Sequence, residues 1–154
     1  MKTIYKLGIL VSALLMFSCT SDDSAPIDTA VLIKQIEDQV KSGTWRITSY
    51  VDSGQNETGD YTGYNFTFNE NGTLVATNGT SVVSGSWSVT DDSNSNDDSN
   101  DNDDIDFNIF FSAPPDFEEL SDDWDVASSS DSRVNLIDVS GGNGGTDTLV
   151  FEKN

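Results

Sequence analysis

The chain contains no histidine, one cysteine and three prolines, and only 7 of its 154 residues are Lys or Arg. Without histidine there is no imidazole base, no Ser-His-Asp or Cys-His catalytic arrangement, and no His-ligated zinc or haem. One cysteine excludes an intrachain disulfide. Against 27 Asp and Glu, the shortage of bases leaves a formal charge of −20. So acidic a body repels nucleic acid and anionic membrane surfaces, which removes both as direct partners of the protein surface. The length suits one domain. The composition points to an acidic protein that is not an enzyme, and no catalytic residue is assigned.

What is present begins with an address. Lys2 and Lys6 precede an apolar run of 11 residues, Leu7–Phe17. That run is too short to cross a bilayer, which takes about 20 residues, and it suits a signal-peptide core. Leu15-Met16-Phe17-Ser18-Cys19 resembles a bacterial lipobox, with Met16 where Leu is usual. The resemblance implies cleavage before Cys19 and acylation of its thiol, with residues 1–18 removed. The alternative is a plain secretory signal with an incidental cysteine. Loss of residues 1–18 takes two lysines away and moves the formal charge from −20 to −22. Residues 19–29 form an acidic tether, and Thr20-Ser21-Asp22-Asp23-Ser24 resembles a signal for display on the outer face of the outer membrane. The expected location is therefore the outer membrane, surface-exposed or else facing the periplasm, with acyl chains as the membrane contact. Asp23-Ser24-Ala25 and Asp28-Thr29-Ala30 resemble short periplasmic O-glycosylation triplets.

Residues 30–42 predict a helix, with Leu32, Ile33, Ile36 and Val40 on one face and Gly43 past its end. From there the period changes to 2. Thr44–Val51 sets Trp45, Ile47, Ser49 and Val51 against Arg46, Thr48 and Tyr50. Further strand-like runs are Gly63–Asn69, Thr73–Thr77, Ser81–Thr90, Ile105–Phe111, Asp123–Ala127, Arg133–Val139 and Asp147–Lys153. Asn71-Gly72 and Asn78-Gly79 both read as two-residue hairpin turns of type I′, which need positive φ twice. Ile137 and Val139 lie on the opposite parity from Val134 and Leu136, which reads as a bulge. Asp116–Leu120 predicts one helical turn with Phe117 and Leu120 inward. Eight short strands with turns between them predict an all-β fold, and first-to-last pairing would close it into an eight-stranded antiparallel up-and-down barrel. The expected interior is Trp45, Ile47, Tyr64, Phe66, Phe68, Leu74, Val83, Trp87, Ile105, Phe107, Phe111, Trp124, Val126, Leu136, Leu149 and Phe151.

Gly43-Thr44-Trp45 opening the first strand resembles the Gly-x-Trp motif of lipocalins. With Phe66-Thr67-Phe68, Asn71-Gly72-Thr73, Gly85-Ser86-Trp87, Asp122–Val126 and Gly141–Asp147, residues 43–154 resemble small lipocalin-like lipoproteins of Gram-negative bacteria. The resemblance implies a calycin-type barrel. The chain is shorter than secreted lipocalins and lacks their disulfides.

Two uses of such a barrel follow. In the first, the interior takes one small apolar or amphipathic molecule lined by Trp45, Tyr64, Phe66, Phe68, Trp87, Phe107 and Trp124. In the second, aromatics fill the interior, Trp45 plugs the floor, and a monomeric, non-catalytic module acts through acidic loops. The acidic loop at residues 91–104 is the loudest local signal. Its oxygen-rich sequence suits Ca²⁺, with Asp101, Asp103 and Asp104 as candidate ligands, although no Asp-x-Asp-x-Asp-Gly pattern is present. The other reading is a solvated, self-repelling loop. A second acidic group runs from Asp116 to Asp125.

Overall fold

The computed structural model describes residues 28–91, 105–139 and 145–154. The expected signal segment, Cys19, most of the tether and the candidate calcium ligands Asp101, Asp103 and Asp104 lie outside the described residues. The elements run in order: α1 (Thr29–Val40), β1 (Trp45–Asp52), β2 (Gln55–Asn56), a 3-10 turn (Thr58–Tyr61), β3 (Asn65–Phe68), β4 (Thr73–Thr77), β5 (Val82–Asp91), β6 (Ile105–Phe110), α2 (Pro115–Glu118), β7 (Asp122–Ser129), β8 (Arg133–Val139) and β9 (Thr146–Lys153). Neighbours in sequence pair antiparallel from β3 to β9, and β9 returns to pair with β1 from Trp45↔Lys153 to Val51↔Thr148. This closes an eight-stranded antiparallel barrel; β2 is a two-residue extension beside the end of β1. The opposite seam is thin, because β1 and β3 meet only at Trp45↔Phe66. Arg46 and Arg133 both reach Glu152, at 3.5 and 2.6 Å, tying β1, β8 and β9 together on the outside.

The helix forms where its pattern requires it. Asp28 caps the start by accepting from the Ala30 amide at 3.0 Å. Ile36 and Val40 are buried, with Leu32 and Ile33 packed against the same core. A lone helix this short is marginal in water, so docking on the barrel supplies its stability. Antiparallel alternation puts α1 and the starts of β1, β4, β6 and β8 at one end. The 3-10 turn, α2 and the β4–β5 turn lie at the other.

The interior agrees with the alternation except at irregular points. All the expected core residues are buried apart from Tyr64 and Val83, which are partly buried. Tyr50 was expected on the outer face, yet it is 1% exposed. A β-bulge between Ile47 and Ser49 inserts one residue and reverses the parity of the strand beyond it. The bulge expected in β8 is in β7 instead, between Val126 and Ser128, while β8 pairs regularly with β9 from Arg133 to Val139. Ile137 and Val139 simply face outward. The turns at Asn71-Gly72 and Asn78-Gly79 are not type I′, because only the glycine of each has positive φ, at 77° for Gly72 and 85° for Gly79. The Gly72 amide donates to Asn69 O and the Asn69 amide to Thr73 O, a longer loop with a left-handed glycine at its end. The two-residue turn with positive φ twice is at Ser53 (48°) and Gly54 (81°), between paired Asp52 and Gln55.

Candidate functional site

The barrel interior is the place where a ligand would bind, so its contents decide what the fold can do. Six of the seven candidate lining residues are brought together and buried: Trp45, Phe66 and Phe107 at 0% exposure, Trp124 at 1%, Phe68 at 2% and Trp87 at 7%. Tyr64 is the partly buried exception. Phe68, Trp87 and Phe107 touch one another, and Phe66 joins them through Phe151. Phe68 meets Trp87, Phe107 and Phe151 edge-on at centroid distances of 5.3, 5.6 and 5.5 Å. Trp87 stacks on Phe107 at 5.9 Å, and Phe66 meets Phe151 at 5.4 Å. Offset and edge-to-face pairs at these separations are favourable packing, so the middle of the barrel is occupied by its own side chains. Among the described residues every buried side chain is apolar or aromatic.

The tryptophans also secure the barrel ends. The Trp45 indole donates to Val40 O at 2.8 Å, at the end of α1, and Lys153 lies 5.5 Å from its ring centroid. The Trp87 indole donates to Asn69 O at 3.1 Å, in the β3–β4 turn. The Trp124 indole donates to Leu120 O at 3.1 Å, beyond α2. Each aromatic body fills the core while its one polar atom holds a connecting segment.

The far end is closed by a plug. Pro115–Glu118 forms the short α2, which directs Phe117 inward to 2% exposure. Its ring sits among Tyr61, Tyr64, Phe66 and Phe111, at centroid distances of 5.5, 5.0, 6.2 and 5.2 Å. Two tyrosines tie the segment down: Tyr50 Oη donates to Glu119 O at 2.8 Å, and Tyr61 Oη donates to Asp116 O. Burial first pushes both phenols well above their ordinary value, followed by surrounding carboxylates for Tyr50 and by Tyr50 and then carboxylates for Tyr61, so both stay protonated donors. Sequence reasoning found Phe117 but missed Tyr50 and Tyr61. The parity of Tyr50 depends on the bulge, and Tyr61 belongs to a turn with no alternation to read.

The rim around this plug is acidic. Glu57 Oε2 is enclosed and has no hydrogen-bond donor among the described residues; Gln39 Oε1, at the helix end, shares that condition. Burial, then Glu119, push the Glu57 carboxyl above its usual range. Asp122, at the start of β7, is pushed up to about 6 by burial and by its neighbours Asp123 and Asp138. Among the described residues, no three Asp, Glu, Cys or His side chains are arranged to hold a metal ion. No described helix is long and apolar enough to cross a membrane.

Outside the packed centre, a crevice of about 240 Å³ lies between α1 and the barrel mouth, lined by Leu32, Gln35, Ile36, Ile105, Val126, Ser128 and Ser129. This is below the roughly 300–1,000 Å³ of ordinary small-molecule pockets. No family model, curated protein or solved structure matches the chain.

Proposed function

We propose that this chain is an outer-membrane lipoprotein of lipocalin-like build, anchored by acyl chains on Cys19. In this reading its barrel is a rigid, non-enzymatic interaction module rather than a carrier. The observation that supports the module over the carrier is the mutual packing of Phe68, Trp87 and Phe107, joined to Phe66 through Phe151, which leaves the barrel centre to side chains. The parts free to meet a partner are then the loops and rims, where the acids are concentrated. The test is titration with a neutral, environment-sensitive apolar dye such as N-phenyl-1-naphthylamine. The module reading expects no saturable fluorescence change. Saturable binding of the dye would overturn it. Mass spectrometry of membrane-extracted protein checks the anchor, with an acylated Cys19 at the N-terminus as the expected result.

The carrier reading keeps one supporting observation, the crevice under α1 with Leu32, Ile36, Ile105 and Val126 on its walls. It would suit a small apolar molecule at the mouth rather than in the centre. An Ile36→Trp variant fills this crevice and distinguishes the two locations. Dye binding lost in that variant alone would place the ligand at the mouth.

A further inference from the structure

Part of the barrel's outer wall carries no charge, although the chain has a net charge of −20. We propose that the outer face of β3–β6 binds a neutral glycan chain, seated in the groove beside Phe110. The inference concerns a sheet face, so it goes beyond the loops and rims of the module reading, and it is independent of the anchor.

Strand alternation builds this face. Residues alternating with the buried Phe66, Phe68, Leu74, Ala76, Trp87 and Val89 point outward. There are two such positions in β3, three in β4 and five in β5, and they hold Asn65, Val75, Val82 and seven Ser or Thr. None is charged. The register sets Thr73, Ser86 and Phe110 in one row across three strands, and Ser88 and Asn108 in the next. A sheet face repeats about every 4.8 Å across strands and about 7 Å along them, so its hydroxyls and amides stand at intervals comparable with those on a sugar chain. Over β5 and β6 a groove of about 480 Å³ is lined by Ser86, Ser88, Asn108, Phe110, Ser121 and Asp122. That volume lies within the roughly 300–1,000 Å³ of ordinary small-molecule sites. The acids Asp106, Asp123 and Asp125 mark the border of the face.

The groove offers what a neutral sugar requires. Phe110 is 59% exposed, so its ring is open to a ligand. One face of a hexose is mostly C–H, and the electron-rich face of an aromatic ring attracts such groups. The hydroxyls at the sugar's edge need donors and acceptors, which Ser86, Ser88 and Asn108 supply without charge. The Asn108 amide is oriented by donating to Thr90 Oγ1 at 2.9 Å, which leaves its carbonyl oxygen and second N–H for a ligand. Exchanging water for sugar hydroxyls on neutral groups costs little, whereas ionised side chains would have to shed tightly held water. The charge of the whole chain selects against other partners. It repels anionic polymers and draws cations to the acids outside the face. A second copy would bring a like charge and bury mostly hydroxyls, which favours association little.

Native electrophoresis of the full chain through gels carrying a neutral polysaccharide tests the site, with migration in a plain gel as the reference. The probes are glycogen, galactomannan, xyloglucan and mixed-linkage β-glucan. At least one should retard the wild type, and a neutral oligosaccharide of the same linkage should release it. Phe110→Ala should raise the apparent Kd about tenfold through loss of the aromatic contact. Ser88→Asp, which sets a charge in the groove, should weaken binding at least as much. Val139→Ala, at an exposed apolar residue on β8 away from this face, should bind as wild type. The urea midpoint of each variant checks that its fold is retained. Unretarded migration in all four gels would overturn the proposal, as would retardation that both groove variants keep. Self-association lost in Phe110→Ala, without retardation by any polysaccharide, would give the face to a second copy instead.

Discussion

Single residues decide how closely the barrel can pack. Gly85 lies in β5 on the inward parity, where a Cβ would be 2.2 Å from Phe110 O and 2.6 Å from the Phe111 ring. The missing side chain is what lets Phe111 lie against the strand, at 1% exposure. Gly85→Ala should therefore lower stability by about 3 kcal/mol, the upper part of the usual overpacking range, read as a shifted urea midpoint. Phe110, next along the chain, is 59% exposed. Phe110→Ser should shift the same midpoint by no more than about 0.5 kcal/mol. Truncating Phe107, fully buried between Phe68 and Trp87, should cost about 3–5 kcal/mol. These three values together test whether the interior is packed as tightly as its ring contacts imply.

At the scale of elements, caps and bulges set the frame. Asp28→Ala removes the acceptor for the Ala30 amide and should cost about 1 kcal/mol, with the loss of exchange protection concentrated in the first turn of α1. Most of this frame was legible in the sequence. The helix is visible from Leu32, Ile33, Ile36 and Val40, and the interior from period-2 runs such as Tyr64-Phe66-Phe68. Chain closure through the first and last strands follows from the need to cover edges. The irregularities were not legible, for a physical reason. A bulge is one extra residue whose position depends on the partner strand, so nothing in Trp45–Val51 alone says that parity reverses after Ile47. The turn at Ser53-Gly54 has a serine in the left-handed region, where Asn or Gly is usual, and so lacks the usual dipeptide signal. The candidate lining residues were legible as a group, because aromatics on the inward parity must meet in an eight-stranded barrel. That they would fill it, and that Tyr50 and Tyr61 would hold the plug, required the bulge and the loop positions.

At the scale of the whole molecule, the described bases lie toward the α1 end among acids such as Glu37, Asp38 and Glu152. The opposite rim carries Asp52, Glu57, Asp60, Glu118, Glu119, Asp122 and Asp147 with no described base beside them. Asp122 makes this imbalance measurable. Burial first, then the hydrogen-bonded Asp123, raise its carboxyl to about 6 from an ordinary value near 4. A carboxyl raised on folding binds its proton more tightly in the native state. Its contribution is full below the ordinary value and is lost as pH rises through about 6. The shift of Glu57 has the same sign. The melting temperature should therefore fall as pH is raised from about 5 to about 7.5, and Asp122→Asn should remove part of that fall. Added salt should reduce the slope by screening the exposed acids of the rim.

The pairing of β1 with β9 also governs when the fold can exist. Trp45 pairs with Lys153 and Ile47 with Phe151, so strands about a hundred residues apart must meet before the circle is complete. Without residues 146–153 the sheet is an open meander with β3 at one edge and β8 at the other. β1 then keeps only the two-residue β2 and a single residue pair with β3. Loss of the last strand therefore detaches the first, and the circle exists only when both are in place.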